Sequence, residues 1–242
     1  MPRRGSPSWA GRGDNRSAAG GEFAGYTADD VRWVATLGAD YGVLAAAPDG
    51  LYKTFEDVLN AWNVDPSLVS FVGGSAVGGW DHIKILLVAD AAGVPVQQVR
   101  YTAFDGGGLA RIEVLAGRAD LFSGDISEVL PEVEAGNLVP LIVLAPERQG
   151  GLLADVPTAI ELGYDVIGSN WRGYYMAPGI SEEAYDWWAD AFRQMAETEA
   201  WAELRAQNGL APFELFGAEM EAFAKDQVQD ITNLLRSIGA IQ

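Results

Sequence analysis

The feature that most constrains this chain is a pattern recurring between Ser67 and Leu144: a short apolar run, a glycine-bearing loop, a helical segment and a closing glycine. Ser67–Val72 predicts a strand that enters Gly73-Gly74-Ser75-Ala76-Val77-Gly78-Gly79, and Trp80–Ala92 predicts a helix closed by Gly93. Gln98–Tyr101, the loop Ala103–Gly108 and Leu109–Ala116 before Gly117 repeat the unit. Leu121–Ser123, Gly124-Asp125 and Ile126–Glu134 before Gly136 repeat it again. Val139–Leu144 is apolar almost throughout, as a buried parallel strand should be. Strands and helices alternating across short connections predict an α/β fold with an open, mainly parallel sheet covered by helices.

The flanks read differently. Val31–Leu37 and Tyr41–Ala47 predict two short strands around Gly38-Ala39-Asp40, followed by a turn at Pro48-Asp49-Gly50. Thr54 and Asp57 have the spacing of a capping box for a helix through Asn60. Thr158–Gly163 predicts a short helix. Glu182–Thr198, Ala200–Asn208 and Gly217–Gly239 predict long ones. Residues 48–171 therefore form one complete lobe. Residues 26–47 and 172–242 form a second lobe with many helices and few strands. Residues 1–25 are basic, then rich in Gly, Ser and Ala, with no apolar core of a signal peptide, and predict a disordered tail.

Composition narrows the chemistry. The chain has no Cys and one His, which excludes disulfides, thiolate catalysis and His-rich or Cys-based metal sites. No cofactor or metal is expected. A net charge of -18 would repel nucleic acid and anionic membrane, so neither is an expected partner. Lysine occurs only at positions 53, 84 and 225. An acidic, Lys-poor surface suits concentrated salt, an expectation that urea melts in low and molar salt would check.

Two glycine-rich loops follow strands of the same parallel set, so both belong at one sheet edge, where α/β folds bind ligands. In the first, Gly74, Ser75 and Ala76 offer backbone amides and a hydroxyl at a helix start, a setting that attracts carboxylate or phosphate. Neither a P-loop nor a dinucleotide fingerprint is present. In the second, Asp105 and Gly106 precede the next helix. Asp105 either caps that helix or faces solvent. Asp125 is a cap or a cleft residue. His82, beside Asp81, has no nucleophile in evident reach, so a structural or ligand hydrogen bond is the plainer role. Arg172 suits bidentate carboxylate recognition, or alternatively a salt bridge between lobes.

These motifs resemble the extracytoplasmic solute-binding proteins of the tripartite tricarboxylate transporters. The matching stretches are Phe71–Ile83, Val99–Gly117, Gly124–Leu144 and Asp155–Pro178, and the likeness runs over roughly 26–241. The resemblance implies a type II periplasmic-binding-protein architecture with two lobes, and a small organic carboxylate held in the cleft between them. It implies delivery to membrane permease subunits, a periplasmic location, a monomer and no enzymatic activity. Carried over, Gly74, Ser75, Ala76, Asp105 and Gly106 resemble lining residues, and Asp125 and the Trp171-Arg172 region would face or flank the cleft. The Asp81-His82 pair also resembles the family pattern. Such proteins begin with an export signal and a further segment of the first lobe. Neither is recognisable here, so the chain resembles an N-terminally truncated member whose first lobe is incomplete. The alternatives are a remnant with little binding and, less favoured, an α/β enzyme using Asp81-His82.

Overall fold

The computed structural model describes the backbone of residues 3–5 and residues 30–237. The chain divides into a terminal unit, Met1–Asp40 with Asn170–Gln242, and an inner unit, Tyr41–Ser169. Most of the expected tail, and the chain end beyond residue 237, lie outside the described residues.

The inner unit is built on five strands. These are β3 (Ser70–Gly73), β4 (Arg100–Ala103), β5 (Leu121–Asp125), β6 (Val139–Leu144) and the second half of β2 (Arg32–Ala46). Strands β3, β4 and β5 are mutually parallel in the order β5-β3-β4. Strand β2 lies between β5 and β6 and is antiparallel to both. Four strands thus run one way and one runs against them. Helices α1 (Phe55–Val64), α2 (Trp80–Ala91), α3 (Gly107–Leu115) and α4 (Ile126–Glu134) complete the unit. Phe55, Trp62, Phe71, Phe122, Leu44, Ile83, Leu86, Leu121 and Ile142 are fully buried. Burying each such side chain contributes about 1.5–3 kcal/mol. Thr54 and Asp57 form the expected capping box on α1.

The expected break at Gly38-Ala39-Asp40 is absent: β2 is continuous through it. Gly38 takes a φ of +151°, which a side chain would disfavour. Pairing of Ala39 with Ala211 satisfies the backbone there without a turn. A consequence is that Gly42–Ala46, assigned from sequence to the other lobe, pairs with β5 and β6 in the inner unit. Thr158–Gly163 closes as successive turns and not as a helix, although Thr158 and Glu161 exchange the two bonds of a capping box.

In the terminal unit, Val34, Ala35 and Leu37 of β2 pack with Met176 of β7 (Ser169–Met176) and with Tyr185 and Phe192 of α5 (Glu182–Ala196). The Tyr174 and Phe192 rings stack with centroids 4.7 Å apart. Helices α6 (Glu199–Gln207) and α7 (Ala218–Ser237) follow. The short strand β1 (Arg3–Gly5) pairs antiparallel with β7. Among the described residues, no helix is long and apolar enough to cross a membrane.

Candidate ligand site

Because β3, β4 and β5 are parallel, the segments after Gly73, Ala103 and Asp125 emerge at one edge. They carry seven of the eight residues singled out from sequence: Gly74, Ser75, Ala76, His82, Asp105, Gly106 and Asp125. Arg172 belongs to the terminal unit, on β7, where its guanidinium donates to the Asn170 carbonyl and side-chain oxygen at 3.0 and 2.6 Å.

The first loop is braced by side chains. Ser75 Oγ accepts from the Asp81 amide at 2.9 Å, and the Tyr101 hydroxyl donates to the Ser75 carbonyl at 2.7 Å. The Gly78 amide donates to His82 Nδ1 at 3.0 Å. The His82 ring stacks on Tyr101 with centroids 4.7 Å apart. Burial lowers the His82 pKa from its ordinary value to about 4. The imidazole is therefore neutral, with its Nδ1 lone pair engaged by the loop. Burial raises the Tyr101 pKa in the same way, which keeps its hydroxyl a donor. Asp81 turns to Lys84, and His82 turns to Gly78. The two do not orient one another as an acid–base pair, which disfavours the enzymatic alternative.

The second loop leans on the first through its backbone. The Phe104 amide donates to the Gly73 carbonyl at 2.9 Å, and the Gly106 amide to the Gly74 carbonyl at 3.2 Å. The contact is close enough to require glycine: a Cβ on Gly74 would lie 2.2 Å from the Gly107 nitrogen. Gly106, at φ +97°, caps α3 with no side-chain hydrogen bond, and the first turn of α3 carries no acidic residue. The amides of Gly107, Gly108 and Leu109 donate to no described residue. Asp105 is exposed and does not cap the helix. The start of α3 thus has no side-chain cap at the positive end of its helix dipole; Gly108 and Leu109 are exposed there, whereas Gly107 is buried against Gly74 with the Glu128 carboxylate nearby.

Below both loops lies a buried ionic cluster that the sequence reading missed. Lys84 is fully buried, with its Nζ 2.8 Å from Asp125 and 3.0 Å from Asp81. Burial acts to lower the Lys84 pKa, but the charges of Asp125 and Asp81 outweigh it and hold the ammonium above its usual value. Ser123 Oγ donates to the Asp81 carbonyl at 2.7 Å. Asp125 forms a capping box with Glu128 on α4, and the Glu128 carboxylate accepts from the Asp125 amide at 3.0 Å. Burial, reinforced by the charges of Asp125 and Asp81, raises the Glu128 pKa against that hydrogen bond. The available signal was the Asp81–Lys84 spacing, one helical turn, in a chain with three lysines. Among the described residues, no cluster of carboxylates and imidazole is arranged to hold a metal ion.

The sequence profile of the tripartite tricarboxylate transporter family receptors matches residues 23–240. The chain belongs to this family. Protein BugT of Bordetella pertussis is 24% identical over 213 residues, which are 88% of this chain and 64% of BugT. The chain thus spans just under two-thirds of the length of the curated relatives it matches. A TctC solute-binding protein from Polaromonas, solved without ligand, aligns with a TM-score of 0.72 at 20% identity, covering 91% of this chain and 74% of that one. MatC from Rhodopseudomonas palustris, solved with bound malate, aligns with a TM-score of 0.66 at 18% identity, covering 96% and 77%. The fold is therefore the α/β periplasmic-binding-protein fold of the TctC type. The family is one of solute receptors, not enzymes.

Proposed function

We propose that this receptor captures a small organic carboxylate at the loop edge of its inner unit and hands it to the membrane permease of a tripartite tricarboxylate-type uptake system. The observation that supports the reading is the start of α3, which no side chain caps and where Gly108 and Leu109 are exposed beside the glycine-only approach of Gly74. A carboxylate supplies both the missing acceptors and the charge that the helix dipole favours. The Ser75, His82 and Tyr101 side chains then act by fixing the first loop, while Gly74 and Ala76 offer backbone amides and Gly106 ties the second loop to the first. The exposed Asp105 carboxylate disfavours ligands of high negative charge, unless a cation or protonated amine sits beside it. Arg172 is a second candidate for a carboxylate. Membership of the family supports a periplasmic site of action and docking to a permease. Malate bound to MatC supports a dicarboxylate as the first probe.

Isothermal titration with malate, adipate, citrate and a neutral diol tests the proposal. Binding of one or more carboxylates without the diol is expected. Cooperatively folding protein that binds none of them would overturn it.

A further inference from the structure

The ionic cluster under the loops touches more than the loops. Lys84 Nζ joins Asp81, in the first turn after the first glycine loop, to Asp125, at the end of β5. Its stem runs elsewhere. A Cβ placed on Gly42 would lie 2.6 Å from Lys84 Cδ, and one on Gly168 would lie 3.3 Å from Lys84 Cγ. Gly42 and Gly168 are themselves joined, the Gly42 amide donating to the Gly168 carbonyl at 2.8 Å. Gly42 is also the register partner of Asp125. These glycines sit two residues inside the inner unit at its two boundaries, Asp40/Tyr41 and Ser169/Asn170. The chain enters and leaves the inner unit beside this one side chain.

We infer that Lys84 is a positioning residue that couples the ligand loops to both chain crossings, its ammonium holding the loop bases and its stem bearing on the paired glycines. Burying a lysine between two carboxylates is a costly way merely to stabilise a core, since apolar packing of similar volume is often as stable. What the cluster supplies is a fixed geometry among α2, β5, β2 and the segment before β7. A shift of Asp81 or Asp125 when a loop rearranges must move the ammonium, and the stem packs against Gly42 and, beside Leu144, against Gly168. Interiors packed this closely transmit strain.

The inference rests on the proposed ligand site, but its first test does not need a ligand. Hydrogen exchange of the full chain is compared for the wild type, Lys84→Met, Lys84→Met/Asp125→Asn and Val88→Ala. The last is a buried α2 substitution outside the cluster. In Lys84→Met, exchange is expected to accelerate by about tenfold or more at 74–81, 123–128, 41–44 and 166–169 together. The charge-balanced double variant should recover the melting temperature without recovering protection at 41–44 and 166–169. Protection that returns with the melting temperature, or a pattern shared with Val88→Ala, would show a purely structural lysine and overturn the inference. If Lys84→Met does not fold, Gly42→Ala serves. It should speed exchange in the 74–79 loop, and an effect confined to 40–44 would overturn the inference. Malate is then added to the wild type. Slowed exchange at 41–44 and 166–169 as well as at the loops is expected, and slowing at the loops alone would contradict the coupling. A wild type that binds no carboxylate defeats the ligand site while leaving the ligand-free result standing.

Discussion

Two glycine-rich loops emerge at the same sheet edge, and from sequence they look interchangeable. Their physical situations differ. The loop after β3 is held by Ser75 Oγ, His82 Nδ1 and the Tyr101 hydroxyl, with Asp81 locked to Lys84 beneath. Among the described residues, no side chain hydrogen-bonds the loop after β4, which rests on the carbonyls of Gly73 and Gly74. One loop is fixed by side chains, and the other leads into a helix start that no side chain caps. Glycine content alone therefore does not mark a ligand contact. In the proposed site the uncapped helix start makes the contact, and the braced loop is the wall against which it is set.

If this division of labour is right, substitutions under the first loop cost stability and those in the second change binding. The largest effect is expected from Asp125→Ala, which breaks a buried ion pair and removes the α4 cap. A loss of about 3–5 kcal/mol in urea unfolding is predicted. A loss under 1 kcal/mol would mean that the first loop stands without its base.

Next comes acid. The folded-state pKa of His82 lies below its unfolded value, so between pH 6.5 and about 4 the unfolded chain takes up the proton first. The His82 contribution is present in full above pH 6.5 and is lost as pH falls toward 4, by at most about 3 kcal/mol. Subtracting the stability–pH curve of His82→Gln from that of the wild type isolates it. Identical slopes would show that the imidazole does not brace the loop.

Gly74→Ala places a Cβ against the Gly107 nitrogen and forces the loops apart. It should cost about 1–3 kcal/mol, as overpacking does, and also weaken carboxylate binding measured by calorimetry. Gly108→Ala sharpens the contrast, because a Cβ there meets nothing within 4 Å. It should stabilise α3 by about 0.5–1 kcal/mol through helix propensity, yet weaken binding by crowding the open amides. Unchanged affinity in Gly108→Ala would place the ligand away from α3.

The sequence carried the outline of this fold well. The glycines closing α2, α3 and α4 and the Thr54–Asp57 box are local signals, and local backbone physics decides them. Strand β2 was not legible as one element, because Gly38-Ala39-Asp40 has the composition of a turn. Pairing with Ala211 on one stretch and with β5 and β6 on the next keeps the chain extended, and no local rule contains those partners. Thr158 and Glu161 show the converse, a helix-start signal satisfied within turns. At the site, the loops were visible as glycine runs, but which loop was braced depended on Tyr101 and His82 meeting across two βα units. Lys84 escaped because a fully buried lysine follows from partners 3 and 41 positions away, and only the nearer of them leaves a mark at helical spacing.

The proposed site holds a carboxylate at the uncapped start of α3. Amide chemical-shift mapping during a malate titration tests it most directly. The largest shifts are expected on Gly107, Gly108 and Leu109, with smaller ones at Gly74–Ala76. Saturable shifts centred on other amides, with those three unmoved, would contradict it.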